Sequence, residues 1–183
     1  MTIYTIGHSN RPKDEFLQLL DHHAIAALVD VRRFPGSRKW PQYHRTALAE
    51  CLRQHGIDYH WMKTLGGRRS RKDPDVMPFL DEAIIGGLRQ EAFRTYAAYM
   101  QSDVFRRALE ALIERAQSQS VAIMCAERLW WRCHRRLISD ALVANGVEVW
   151  HIVTDREPQP HVLTDVARIT GKQVTYPPPI FVS

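Results

Sequence analysis

The sequence predicts an α/β fold: a single three-layer domain, residues 1–183, with a mostly parallel sheet of about five strands flanked by helices, and a C-terminal hairpin-like tail (156–183) packed on it. Three observations point that way. Short β-branched, apolar runs alternate with longer segments of helical period, as in a sheet covered on both faces. The run IAALVDV at 25–31 is apolar almost throughout, which suits a parallel strand buried on both sides. The 183 residues, 45% hydrophobic and 25% charged, suit one soluble domain with a sizeable core.

The elements follow in order. TIYTI at 2–6 is the first strand, ended by Gly7. Pro12 suits a helix start, and Phe16, Leu17, Leu19 and Leu20 give that helix an apolar face to about His22. Beyond the strand at 25–31, Pro35, Gly36 and Pro41 break regular structure across RRFPGSRKWPQYH. A helix over 45–55 closes on Gly56, and IDYHWM at 57–62 alternates as a third strand. Residues 65–78 are a second basic loop; Arg68, Arg69, Arg71 and Lys72 read as a solvated, mobile segment able to close over a ligand. Helices follow at about 79–86, 91–101 and 103–117, the last with Phe105, Ala108, Leu109, Leu112, Ile113 and Ala116 on one face. Residues 121–125 form the fourth strand, a helix runs to about 145–146, and 147–153 form the fifth strand. Val166–Ile169 and Gln173–Tyr176 flank Thr170-Gly171-Lys172 as a hairpin before Pro177.

Composition narrows the function classes. Net charge is +5, carried by 20 arginines against 5 lysines, and arginine suits bidentate phosphate and carboxylate contacts. No apolar stretch approaches a membrane span, and MTIYTIGHSN lacks a basic leader, so no membrane association and a cytoplasmic location are expected. Three cysteines argue against a disulfide framework. Absence of G-x-G-x-x-G and G-x-x-x-x-G-K-S/T argues against a dinucleotide or P-loop protein, and absence of G-x-S-x-G against a serine hydrolase. The residues identify no cofactor and set no oligomeric state.

In open α/β sheets the ligand site lies beyond the carboxyl ends of the strands. Those ends carry Gly7-His8-Ser9, Asp30-Val31-Arg32, Cys125-Ala126-Glu127 and Thr154-Asp155. The stretch VAIMCAERLWWRCHRRLISDAL, residues 121–142, is the centre of interest, with two cysteines, a glutamate, a histidine and four arginines across strand, loop and helix. Cys133 and His134 fall near the first helical turn, where backbone N–H groups and the dipole favour a thiolate or an anion. Cys125, Cys133, Glu127 and His8 are the candidate catalytic residues: thiols as nucleophile or redox centre, the others moving protons. Ser9, Asp30, Arg32, Arg38, His134 and Arg135 are the candidate substrate- and anion-binding residues. Each has a plainer reading beside it. The thiols can be small buried hydrophobes, Glu127 and Asp30 can pair with Arg32 or Arg135, and His8 can simply bond the backbone. Trp40, Trp130 and Trp131 can stack on a base or cap the core edge. Cys125, Cys133 and His134 with His8 or His151 form a sulfur/nitrogen set suited to zinc or iron. The seven-residue gap between the cysteines matches no common zinc spacing, however, and adjacent Cys-His rarely share an ion, so no metal is assigned.

Thr5-Ile6-Gly7-His8-Ser9, Val29-Asp30-Val31-Arg32, Leu65-Gly66-Gly67 and Cys125-Ala126-Glu127 with Cys133-His134-Arg135 occur in the order of one family's motifs. His151-Ile152, His161-Val-Leu-Thr and Thr175-Tyr176-Pro177 extend the match. The chain resembles the domain-of-unknown-function family 488 over nearly its whole length, and the C-x-E…C-H-R block is the specific part. Where that pattern often has a proline between the cysteines, this chain has Trp130. The resemblance implies a small cytoplasmic α/β protein whose cysteines are suspected of function. The expectation is therefore a cysteine-dependent enzyme acting on an anionic, phosphorylated or nucleotide-like substrate at the carboxyl edge of the sheet. The alternatives are a nucleic-acid-binding module with structural cysteines, or a Cys/His metal-binding protein.

Overall fold

The polar ends of three strands meet because of the order in which the strands pair. The computed structural model describes residues 1–179; the last four residues of the expected tail lie outside the described residues. Strands β1 (Thr2–Gly7), β2 (Ala27–Asp30), β3 (Asp58–Trp61), β4 (Val121–Cys125), β5 (Glu148–Ile152) and β6 (Gln159–Pro160) form one sheet in the order β3-β2-β4-β1-β5-β6. All pairings are parallel except β5 with β6. The chain goes from β1 to β2 and β3, then returns to insert β4 between β2 and β1. The carboxyl ends of the three central strands therefore adjoin, with Gly7 opposite Cys125 and Asp30 opposite Met124. The fold class expected from sequence is the one observed.

Residue alternation sorts the core into two halves, as strand geometry requires. Ile3, Ala27, Val29, Val121, Ile123 and Val149 pack on one side with Tyr96, Leu109, Leu112, Leu137 and Ile138. Those partners come from α4 (Glu91–Tyr99), α5 (Asp103–Ser118) and α6 (Arg135–Ala144). Ile6, Leu28, Ala122 and Met124 face the other way, against Phe16, Leu20, Leu48 and Leu52 of α1 (Lys13–His22) and α2 (Arg45–Gln54). Cys125 packs with the first set, so its thiol lies on the α6 side.

Three details differ from expectation. The stretch near 79–86 is only a 3₁₀ turn, Met77–Phe79, and the short α3 (Glu82–Ile85), where the Asp81 side chain accepts the Ala83 N–H. A sixth strand ends on Pro160, tolerable because it lies at the sheet edge. Cys133 is not in a helical turn: Trp130–Arg132 make a 3₁₀ turn, Cys133 is extended at φ −127° and ψ 152°, and α6 begins at Arg135 after His134 as N-cap. The hairpin is present as β7 (Arg168–Thr170) and β8 (Gln173–Thr175), turning through Gly171 at φ +61°. Beyond it the buried Tyr176 donates its hydroxyl to Asp140 of α6 and its N–H to the Ile84 carbonyl. Among the described residues no helix is long and apolar enough to cross a membrane.

Gly7 tests how tightly the sheet edge is built. A Cβ there would lie 2.0 Å from the Glu127 carbonyl oxygen, a backbone atom of the loop joining the two cysteines. Gly7→Ala should cost about 2 kcal/mol or more in chemical denaturation, by forcing the ends of β1 and β4 apart. A loss below a few tenths of a kcal/mol would show that the loop yields freely.

Candidate active site

β4 delivers Cys125 to the sheet edge, and the loop after it folds back so that Cys133 and His134 return beside it. Arg135 holds that loop: its Nη2 donates to the carbonyl of Glu127 and, at 3.4 Å, to that of Arg128. The Glu127 carboxylate accepts the Leu129 N–H at 3.0 Å, which tightens the same turn. One donor atom each from Cys125, Cys133 and His134 lies within 4.8 Å of the others. His134 Nε2 is 3.1 Å from the Val31 carbonyl, which can only accept, so Nε2 carries a proton. Nδ1 is thereby turned to Cys133 Sγ at 3.5 Å and can take the thiol proton.

Burial alone would raise the Cys133 thiol. Donation from the Cys125 thiol, with the positive fields of His134 and Arg135, outweighs it and holds Cys133 well below the ordinary thiol range. Cys125 moves the other way, because its proton is held against Cys133 and because it is buried. The two shifts are opposite, so a proton lost from the pair leaves Cys133 before Cys125. Arg135 is 0% exposed and has no carboxylate partner among the described residues, and its charge favours a Cys133 thiolate. The three donor atoms could also hold a soft cation such as zinc, with the Val31 carbonyl orienting His134. The Arg135 charge behind them weighs against a dication.

Asp30, Arg32 and His8 are brought together, but chiefly with one another. Arg32 Nε and Nη2 clasp the Asp30 carboxylate at 2.9 and 2.6 Å, and Nη1 donates to His8 Nε2 at 3.1 Å and the Tyr43 carbonyl at 2.9 Å. Tyr59 adds a hydroxyl to Asp30 at 2.6 Å. His8 Nδ1 donates to the Ser9 carbonyl at 2.9 Å, and its ring stacks on Tyr43 at 4.1 Å. Burial, and after it the Arg32 charge, push His8 down to about 4. It is neutral near pH 7 with both nitrogens engaged.

These groups floor a cavity of about 950 Å³. Cys125, Cys133, Glu127, His8, Ser9, Arg32 and His134 line it. Arg38 is exposed and does not, and Asp30 and Arg135 lie buried behind the wall. Lys39, Arg68 and Arg132, cations of the lining with no ion pair among the described residues, were not among the candidate anion-binding residues. Sequence reasoning also missed Phe93 and Tyr96 of α4, which form the apolar wall. Phe34, 62% exposed, stands at the rim beside Arg33. The basic loop at 65–78 is pinned rather than free. Arg69 bonds the carbonyls of Gly66 and Thr64 and lies 3.6 Å over the Tyr99 ring, Arg71 pairs with Glu91, and Arg33 pairs with Asp73. Gly66 and Gly67 let it approach: Cβ atoms there would lie 2.8 Å from Arg33 and from His134 Nδ1.

Behind the cavity runs a buried polar chain. Arg135 Nη1 donates to Thr5 Oγ1 (3.4 Å), Thr5 meets His151 Nδ1 (2.7 Å), His151 Nε2 meets His161 Nδ1 (3.0 Å), and His161 Nε2 meets Asp140 (2.8 Å). Trp130 stacks on His151 at 4.0 Å and covers the chain from solvent. Burial, then the neighbouring His161 and Arg135, push His151 down to about 2. His151, a histidine inside β5, was the sequence signal for this chain.

The profile of the family described as Domain of unknown function DUF488 matches residues 12–142. No curated protein and no solved structure matches.

The buried histidines set a pH dependence. An unfolded histidine takes up a proton near its ordinary value of 6.5, whereas folded His8 does so only near 4. The folded state therefore binds fewer protons in that window, and stability should fall as pH drops from 6.5 to 4, by on the order of 3 kcal/mol from His8. Urea denaturation across that range checks this, and His8→Asn should flatten the slope. Separately, Asp30→Asn should cost roughly 3–5 kcal/mol by leaving Arg32 buried without its counter-charge.

Proposed function

The chain belongs to the family described as Domain of unknown function DUF488; from the site itself we propose that the protein is a cysteine-dependent enzyme acting on an anionic, phosphorylated or nucleotide-like substrate. One observation carries the reading: Cys133 lines the cavity beside a histidine placed to take its proton, with a buried arginine whose charge favours the thiolate. Thiolates are the nucleophilic form of cysteine.

The roles follow from what each group has free. Cys133 attacks an electrophilic centre of the substrate, and His134 Nδ1 holds the thiol proton and can return it to the leaving group. Lys39, Arg68 and Arg132 bind the substrate anion, since Arg32 is committed to Asp30 and Arg135 to the loop carbonyls. Glu127, with one carboxylate oxygen taken by Leu129, keeps the other for a substrate hydroxyl or water. Phe34 and Trp40 offer flat apolar surface beside those cations, a suitable seat for a base. The volume suits a ligand of nucleotide size.

Alkylation with iodoacetamide at pH 7, read residue by residue by mass spectrometry, tests the reading. Cys133 should react at least ~10-fold faster than the half-buried Cys51 despite being less exposed. Inorganic phosphate should slow the reaction at Cys133, and Arg132→Ala should relieve that protection. Equal, slow reaction at both positions overturns the proposal, as does protection that only a chelator relieves.

A further inference from the structure

The nucleophile needs one thiol, and the site contains two. Cys125 lines the same cavity, its sulfur within 4.8 Å of the partner donors, and no step above employs it. Nothing covalent brings the sulfurs together: the loop between them is folded back by Arg135 on the Glu127 and Arg128 carbonyls and by the Glu127–Leu129 turn. The polypeptide thus holds a reduced pair with its sulfurs within 4.8 Å of each other, one facing the cavity from the end of β4 and the other from the residue before the α6 cap.

We infer that Cys125 and Cys133 form a dithiol–disulfide centre, in which Cys133 attacks an anionic low-molecular-weight disulfide and Cys125 resolves the adduct. The inference rests on the reading of Cys133 as the attacking thiolate and adds a further activity to it. In the first step Cys133 Sγ bonds one sulfur of the substrate disulfide. The substrate S–S bond breaks, and the departing thiolate leaves with the electron pair. In the second step Cys125 Sγ bonds Cys133 Sγ, the bond from Cys133 to the substrate sulfur breaks, and the proton of Cys125 goes to the second departing thiolate. The substrate is reduced to two thiols and the protein is oxidised by the same two electrons.

Electrostatics order the steps. While Cys133 bears the charge, Cys125 keeps its proton, because that proton is bonded to Cys133. Once Cys133 is tied in a mixed disulfide that charge is gone, and the Arg135 field and the Glu127 backbone donor, which both favour a Cys125 thiolate, have only burial left against them. Resolution is thereby held back until the first bond has formed. Lys39, Arg68 and Arg132, without an ion pair among the described residues, draw an anionic disulfide to the same cavity.

Oxidised glutathione, an anionic disulfide, is the probe. The reduced full chain treated with it should lose two hydrogens, gain a Cys125–Cys133 linkage in peptide mapping, release both glutathione thiols, and recover on addition of dithiothreitol. Cys125→Ser and Cys125→Ala should instead accumulate a stable glutathione adduct on Cys133 with one thiol released, while Cys133→Ser should leave Cys125 unmodified. Circular dichroism confirms that each variant is folded, and two substitutions guard against failure of either one. A stable adduct on Cys133 in the unaltered chain overturns the inference and leaves the thiolate reading standing. An unaltered chain that takes up no glutathione, with a Cys133 inert to iodoacetamide, overturns both.

Discussion

A guanidinium with no carboxylate beside it governs this site. Arg135 is wholly buried, and removing a charge of that size from water costs several kcal/mol unless something compensates. The compensation is distributed over backbone carbonyls of the returning loop, the Thr5 hydroxyl, and a sulfur that gives up its proton. The first folds residues 126–132 into a turn, the second ties α6 to β1, and the third creates the reactive group. Loop shape, helix docking and thiolate charge are in this sense one requirement, since each neutralises part of the same cation. Among the described residues Arg135 Nε has no partner, so the compensation by hydrogen bonds there is incomplete.

The second ion pair, Asp30 with Arg32, works differently. Here carboxylate and guanidinium meet in a bidentate contact at the end of β2, and Tyr59, Trp61 and His8 attach to it from β3 and β1. Almost every donor is consumed, which makes the pair a fixed wall rather than a ligand clamp. Cations available for a substrate lie farther out, on loops pinned by Arg33–Asp73, Arg71–Glu91 and the stacking of Arg69 on Tyr99. A rigid inner shell and an outer ring of uncommitted charge suit a cavity that orients an anion without moving its reactive floor.

The strands were legible because their periods are plain: the run at 25–31 and the run at 121–125 carry their burial in their composition, and both lie at the sheet centre. Topology then made Cys125, Asp30 and Gly7 neighbours, which the rule about carboxyl ends anticipates. What could not be read was which cation is spent. Arg32 and Lys39 look alike in a string of basic residues, and only the side-chain contacts show one clasped by Asp30 and the other facing the cavity. The start of α6 was misplaced for a similar reason. LWWRCHRR carries no cap residue such as Ser or Asp, and tertiary ties on the Trp130–Arg132 turn, not propensity, decide that Cys133 stays extended.

Asp140 also lies at the far end of the chain from Arg135, and it could be argued that this carboxylate, not the thiolate, balances the arginine. The geometry favours the thiolate. Thr5, His151 and His161 intervene between Arg135 and Asp140, and Asp140 is already met by the Thr164 hydroxyl and N–H, Tyr176 and His161. Coulomb energy falls with distance, and Asp140 is three side chains removed from Arg135, whereas the Arg135 charge acts on Cys133 directly. The chain of contacts runs from Arg135 through Thr5, His151 and His161 to Asp140. Protonating His151 would turn its Nδ1 from acceptor to donor towards Thr5 and place a second cation beside Arg135; burial, then the His161 and Arg135 charges, hold it neutral. The relay therefore orients Thr5 and anchors the tail through Tyr176, while the balance of charge is left to the sulfur at the cavity floor.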